Sequence, residues 1–387
     1  MSEDAAVESR WRVPLSDITV DDELADAVLE TLRSGWWSMG PRVAEFERAF
    51  AEFCGAPHAL AVANGTAALH LALLAVGCGP EDEVVVPSLN FVAAANAIVH
   101  TGAEPVFCDI VGPDELNLDP EDVEAAVTPR TKALLALHYA GFPCAMDDLR
   151  AIADSHGLAI VEDAAHAPGA SLEGHMCGTL GDVGCFSFFS NKNLPLGEGG
   201  MVVTSDDELA ERLRLLRSHG MTTLTWDRHH GHASSYDVLL PGFNYRLDEV
   251  RATVGLVELP RLLAENAARA RISARYRGAL DGEQGLSMPF HGDGPDRTSS
   301  YHLAVVLLPD GANRDRVRAA LADGGIQTSV HYPPIHRFTA YRKAGERREL
   351  RLTDAVVDRL LTLPLYGRMT DTQATAVIEA LLSTLTG

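Results

Sequence analysis

Ala59-Leu60-Ala61-Val62-Ala63-Asn64-Gly65-Thr66-Ala67-Ala68-Leu69 is the stretch on which the fold turns. Small apolar residues run without a polar break, a turn follows, and a helix opens over Thr66–Val76. An unbroken apolar run suits a strand buried on both faces, as parallel sheets require. The pattern recurs at Glu83–Pro87, Pro105–Asp109, Ala133–Leu137 and Leu158–Glu162, each run leading into a helical segment such as Met146–Ser155. Strands alternating with helices predict an α/β fold, a mostly parallel sheet flanked by helices. Upstream, residues 21–34 read as a helix with Leu24, Val28 and Leu32 on one face and Gly35 as its stop. Val43, Phe46, Phe50 and Phe53 repeat that spacing in a second helix ending at Gly55. Beyond Asp248 the alternation weakens. A long helix is expected over Asp248–Arg275, then a strand at Tyr301–Leu308 and a helix at Arg314–Ala322. The expectation is a large domain over 1–248, N-terminal helices included, and a smaller C-terminal α/β domain over 249–387.

A formal net charge of -22 disfavours a broad nucleic-acid surface, since phosphates would be repelled. Met1–Arg10 carries acidic residues and no apolar run, unlike a secretory signal. No segment approaches the ~20 apolar residues that span a bilayer. The six cysteines form no Cys-x-x-Cys pair, so neither a zinc site nor a disulfide framework is expected. The reading is of a cytoplasmic protein that engages neither membrane nor nucleic acid. Lysine is scarce: Lys132, Lys192 and Lys343 are the only three. Arginine serves as the ordinary cation, but it cannot shed a proton to become a nucleophilic amine. A lysine kept in a Gly/Ser/Asn-rich segment therefore asks for a chemical reason.

Four segments fall at the carboxyl ends of expected strands, where open α/β sheets place their ligands. Asn64–Leu69 opens a helix, and its exposed N–H groups, with the Thr66 hydroxyl, can hold an anion. Glu162-Asp163-Ala164-Ala165-His166 ends an apolar strand on carboxylates that need a cationic partner. Phe186-Ser187-Phe188-Phe189-Ser190-Asn191-Lys192-Asn193 carries a lysine from a hydroxyl-bearing strand into Gly197-Glu198-Gly199-Gly200. Pro87-Ser88-Leu89-Asn90-Phe91 sets an aromatic just past a strand. Alone, the first, second and fourth read more readily as an N-cap, a structural ion pair and a core phenylalanine, and the third as readily as a surface lysine. Together they supply an anion cradle, a carboxylate, an amine and an aromatic plate. A cofactor with a phosphate, a protonatable ring nitrogen and an aldehyde needs that set. No G-x-x-x-x-G-K-[ST], H-E-x-x-H or G-x-S-x-G pattern competes.

The chain resembles the sugar aminotransferase family of the fold-type-I pyridoxal-phosphate enzymes. The resemblance rests on Ser34-Gly35-Trp36-Trp37-Ser38-Met39-Gly40-Pro41, Gly65–Leu69, Glu162–His166, Phe186–Phe188, Lys192-Asn193 and Gly197–Gly200. Gly242-Phe243-Asn244-Tyr245-Arg246 and His331-Tyr332-Pro333 complete it, so it covers nearly the whole chain in the family's order. It implies pyridoxal 5′-phosphate held by Lys192 as a Schiff base, with Lys192 then shuttling a proton. Asp163 would keep the ring nitrogen protonated, so that the ring absorbs electrons. His166 would bond the ring hydroxyl, Phe91 would stack on the ring, and Gly65, Thr66, Ala67 and Ser187 would bind the phosphate. Asn244 matches an asparagine that reaches the phosphate from a second subunit, which implies a homodimer with shared sites.

The substrates implied are a nucleoside-diphosphate keto sugar and L-glutamate. Arg228, Arg246, His331 and Tyr332 are candidates for substrate binding, with surface or structural roles open for them. Arg228-His229-His230-Gly231-His232 reads as a polar loop near the sugar rather than a metal site, since no carboxylate or cysteine completes a ligand set. Relatives that aminate C3 resemble one another in having glutamine where His166 stands and aspartate where Glu198 stands. The expectation is therefore amination at C4 of a TDP-4-keto-6-deoxyhexose, with C3 amination as the alternative. A sugar dehydratase of the same family would carry histidine in place of Lys192. A hydride-transferring oxidoreductase would need a glycine-rich dinucleotide turn that Asn64–Leu69 lacks. A non-catalytic regulator on this fold need not keep Lys192, Asp163 and Asn244 together.

Overall fold

The computed structural model describes residues 11–223, 226 and 235–385. Seven strands form the main sheet: β1 (His58–Val62), β2 (Glu83–Pro87), β3 (Glu104–Cys108), β4 (Thr131–Leu137), β5 (Ala159–Asp163), β6 (Val183–Ser187) and β7 (Gly200–Thr204). Their spatial order is β1-β7-β6-β5-β4-β2-β3. From β6 to β3 the pairing is parallel, while β7 runs antiparallel to both β6 and β1. Alternation along β2 shows why the apolar runs are continuous. Val84 and Val86 pack under Leu69, Ala94 and Ile98 on one face, and Val85 packs with Val106, Leu134 and Leu149 on the other.

Parallel strands aim their carboxyl ends at one edge, and helices start there. The Gly65–Ala75 helix begins three residues past β1, with Asn64 Oδ1 accepting from Ala67 N at 2.8 Å. Gly65 lies so close to β6 that a Cβ there would meet Ser187 Cβ at 2.8 Å, so only glycine brings the helix start against this strand end. The antiparallel β7 was not foreseen in the sequence. It returns from the lysine loop, pairing Gly200 with both Val62 and Ser187.

The C-terminal part centres on a two-stranded antiparallel sheet, β8 (Ala304–Leu307) with β9 (Leu360–Leu363). Helices Leu262–Leu280, Arg314–Asp323 and Asp371–Leu385 cover it, with Ile272, Tyr276, Leu321 and Ile378 in the shared core. Three expectations need correction. The long helix of Asp248–Arg275 is two helices, Glu249–Glu258 and Leu262–Leu280, joined by a 3₁₀ turn at Leu259–Arg261. Pro260, lacking an N–H, interrupts the hydrogen-bond ladder there. The strand expected from Tyr301 starts only at Ala304, because Tyr301 has φ 50 and His302 N donates to Ala140 O at 2.9 Å. In the Asp22–Arg33 helix, Leu24 and Thr31 are buried, whereas Leu32 faces outward.

The Glu249–Glu258 helix packs on the two N-terminal helices. Glu249 drives this contact, its carboxylate accepting from Gly40, Arg42 and Val43 N–H groups at 2.9 Å each. Asp109, just past β3, accepts from Leu352 N at 2.8 Å and from Thr353 N and Oγ1 at 2.6 Å, fastening sheet to C-terminal part. No helix among the described residues is long and apolar enough to cross a membrane.

Candidate active site

A cavity of about 400 Å³ opens where the ends of β1, β2, β5 and β6 converge. It falls within the range typical of small-molecule sites. Gly65, Thr66, Phe91, Asp163, His166, Ser187, Lys192, His331 and Tyr332 all line it. These expected site residues come from positions as far apart as 65 and 332, and the fold brings them together. Ala67 does not line the cavity, and its N–H is already bonded to Asn64. Asn244 is exposed and also lies outside the lining, bridged through its backbone to Ser218. Arg246 is partly buried and does not reach the cavity either. Arg228 lies outside the described residues, as does the histidine run that follows it.

Lys192 sits on the loop from β6 to β7. The loop folds back on itself: Leu196 N donates to Phe188 O at 2.8 Å, Ser190 N to Gly197 O at 3.1 Å, and Lys192 N to Phe189 O at 2.8 Å. Gly197, at φ 84, makes the turn. Burial pushes the Lys192 amine down to about 8, although the nearby Asp163 carboxylate pulls the other way. About a tenth of the amine is therefore neutral, and nucleophilic, at pH 7, against well under a thousandth for an ordinary lysine.

Asp163 closes β5 at the cavity floor. Burial raises its pKa against the Ala165 N–H at 3.2 Å, Lys192 and the Asn90 side chain, all of which favour the carboxylate. Half-satisfied and out of water, this carboxylate would hold a cation strongly. His166 Nδ1 accepts from Ala140 N at 3.3 Å, which leaves Nε2 as the protonated nitrogen, 2.8 Å from the Tyr332 hydroxyl. Burial and the Lys192 charge hold His166 well below the usual histidine range, so it is neutral. His331, its Nδ1 3.0 Å from Thr362 Oγ1, is pushed down to about 4 by the same two causes. Phe91 is 54% exposed over the mouth, its ring 5.6 Å from that of Tyr332.

These features fit pyridoxal phosphate: a helix start at Gly65 and Thr66 beside the Ser187 hydroxyl for a phosphate, a buried carboxylate for a ring nitrogen, a depressed amine for an aldehyde. Among the described residues no group of three His, Cys, Asp or Glu is arranged to hold a metal. Fold and cavity thus define a pyridoxal-phosphate enzyme of fold type I. Comparison with known proteins gives the family. The DegT/DnrJ/EryC1/StrS aminotransferase family matches residues 19–382, and the chain belongs to it. It is 43% identical over 380 residues to the spore coat polysaccharide biosynthesis protein SpsC of Bacillus subtilis, covering 97% of both chains. DesV of S. venezuelae, solved in complex with a ketimine intermediate, shares 39% identity at a TM-score of 0.87, over 97% of this chain and 98% of that one. The PLP-form structure of Spr1654 from Streptococcus pneumoniae is 28% identical at a TM-score of 0.88, with 97% and 98% covered. The chain is a pyridoxal-phosphate-dependent sugar aminotransferase of amino-sugar biosynthesis.

One residue of this neighbourhood was not foreseen. His302 is buried with Nε2 3.5 Å from Lys192 Nζ. It lies 110 positions away in sequence. Its sequence setting, Ser299-Ser300-Tyr301-His302 before an apolar run, carries no chemical pattern.

Proposed function

We propose that this enzyme transfers the amino group of L-glutamate to C4 of a nucleoside-diphosphate 4-keto-6-deoxyhexose, thymidine diphosphate being the carrier. In this reading Lys192 and Asp163 are the catalytic residues, and the observation that carries it is a depressed lysine amine facing a buried, half-satisfied carboxylate in one cavity. Bound there, the cofactor supplies an electrophilic carbon for amine capture and a ring that accepts an electron pair. Lys192 holds it covalently, then, once displaced, takes a proton at Nζ from one carbon and returns it to another. Asp163 keeps a proton on the ring nitrogen. Gly65, Thr66 and Ser187 bind the phosphate, His166 the ring hydroxyl, and Phe91 covers one ring face, while Ala67, its N–H held by Asn64, stands behind them. Arg228, His331 and Tyr332 are kept as substrate contacts. The two-unit division at 248/249 belongs to the same reading, with His331 and Tyr332 brought to the cavity from the second unit.

The C4 assignment rests on His166 and on Glu198, both of which line the cavity and stand where C3-aminating relatives differ. A sugar must rotate to offer C3 or C4 to a fixed lysine, and about 1.4 kcal/mol in that preference is tenfold in rate. Matched 3-keto and 4-keto nucleotide sugars, offered with glutamate and analysed by NMR for the new C–N bond, test it. Bond formation at C4 is expected, and preferential amination at C3 overturns the assignment.

The working unit in this reading is a cytoplasmic homodimer in which Asn244 completes the partner's phosphate site. Support comes from its exposure outside the chain's own cavity, and from Trp37, Leu239 and Leu263, apolar side chains left on the surface. Mixing Lys192→Ala with Asn244→Ala protein under subunit exchange is expected to restore up to about a quarter of wild-type activity, one intact site per mixed dimer. Absence of recovery in demonstrably mixed dimers counts against a trans-acting Asn244.

A further inference from the structure

Asn193, the neighbour of Lys192, has no part in the reading above, yet it is buried and every polar atom of its side chain is committed. Its Nδ2 donates to Asn266 Oδ1 at 2.8 Å and to Ser300 O at 2.7 Å. Asn266 is itself fixed, because its Nδ2 donates to Pro168 O at 2.9 Å. The Asn193 carbonyl oxygen is thereby aimed at His302 Nδ1, 2.9 Å away. An amide oxygen only accepts, so Nδ1 of His302 carries the ring proton. Its other nitrogen, Nε2, then bears a lone pair, and it faces Lys192 Nζ at 3.5 Å, the long end of a hydrogen bond.

The groups packed around His302 among the described residues disfavour a second proton. Burial, Lys192, the His166 ring at 4.5 Å, Arg269 and His331 all act against the imidazolium. His302 does not line the main cavity; it borders a small neighbouring void together with His331 and Thr362.

We propose that His302 is a positioning residue for Lys192: held in its Nδ1–H tautomer by Asn193, it accepts one N–H of the lysine amine through Nε2 and aims the amine at the cofactor site. The tautomer matters chemically. The opposite one would present N–H to the lysine and occupy the lone pair that must take up a proton. Asn193 therefore acts two steps from the chemistry, by keeping a donor away from that lone pair.

This inference rests on Lys192 being the cofactor lysine, which borohydride trapping and peptide mapping check separately. If the trapped cofactor is found elsewhere, the functional reading fails, whatever His302 does. The inference itself is tested on full-length protein loaded with pyridoxamine 5′-phosphate, where Lys192 has a free amine. Selective ¹⁵N-histidine NMR of the unaltered protein, with His302 assigned through His302→Gln, should show neutral imidazole with Nε2 unprotonated from about pH 6 to 9. Competitive amine labelling is legible because the chain has three lysines. In His302→Leu the Lys192 midpoint should fall by about half a pH unit or more, since its ammonium loses an acceptor without regaining water, and His302→Gln should restore it. In steady state His302→Leu should lower kcat about tenfold with KM within about twofold. An Nε2–H tautomer, or a Lys192 midpoint unmoved in correctly folded His302→Leu, overturns the proposal.

Discussion

Glu162 and Asp163 are consecutive carboxylates at the end of one strand, both buried, and they have opposite fates. Glu162 is saturated by the protein: it bonds His138 Nε2 at 2.7 Å and accepts from Gly178, Leu180 and Gly181 N–H groups at 2.6, 2.7 and 2.5 Å. Asp163, on the other face of the strand, has one backbone donor at 3.2 Å and faces an open cavity. Burial alone does not distinguish them. What sets Asp163 apart is acceptor capacity that the protein leaves unused. Glu162 instead spends its capacity on the 178–181 turn, where Gly184 and Gly178 backbones approach so closely that a Cβ on Gly184 would meet Gly178 O at 2.1 Å.

Substitutions can break this comparison. The largest effect is expected for Lys192→Ala, which removes the cation Asp163 faces: transamination should fall at least about 10³-fold while fold is kept. Lys132 and Lys343 line no part of the cavity, so neither can replace it. Near-wild-type turnover in that variant would end the assignment. Asp163→Asn should lower kcat about 10²-fold with the melting temperature nearly unchanged, measured by steady-state kinetics alongside calorimetry. Glu162→Gln should do the reverse. By stranding His138 in the core it should cost about 3–5 kcal/mol of stability in denaturant titrations, while the folded fraction keeps most of its activity. Equal kinetic damage from the two variants would erase the distinction drawn between the carboxylates.

The smallest effect concerns pH. Lys192 titrates at about 8 in the native chain against 10.5 for the ordinary side chain. Between these values the unfolded chain binds more protons at this site than the folded one, so its contribution to stability rises with pH across that window. Cofactor-free wild type should therefore gain stability relative to Lys192→Ala as pH rises from about 8 to about 10. A difference that stays flat, in denaturation measured at several pH values, would mean the amine is not depressed.

Legibility in the sequence follows the range of the forces involved. Strand cores such as Val84-Val85-Val86 write burial on both faces into three consecutive letters, and Lys192 stood out because lysine is scarce in a chain that uses arginine as its ordinary cation. Asp163 was legible as a carboxylate ending an apolar strand. The helix break was also written there, in Pro260, but the apolar spacing on either side outweighed it. His302 was not legible: its importance comes from Asn193, Asn266 and Lys192, contacts made only after the chain has folded. The antiparallel β7 was missed for a related reason, since Gly200–Thr204 is as apolar as its parallel neighbours and direction leaves no trace in composition. Separating Glu162 from Asp163 likewise needed the backbone donors of a turn 16 to 19 residues further on.

The tie from Asp109 to Leu352 and Thr353 bears on traffic through the site. With Tyr139 OH bonded to the His331 carbonyl and Ser300 Oγ to His166 O at 2.5 Å, the wall between sheet and C-terminal part is stitched along its length. Swinging the two parts apart would exchange these bonds for bonds to water together, each at a net cost of about 0.5–1.5 kcal/mol. Passage is cheaper at the rim, where Phe91 and Phe189 stand 54% and 46% exposed. Entry of a keto sugar at that rim needs only side-chain rotation of the exposed Phe189, a picosecond-to-nanosecond event, where a hinge between the two parts would take microseconds to milliseconds.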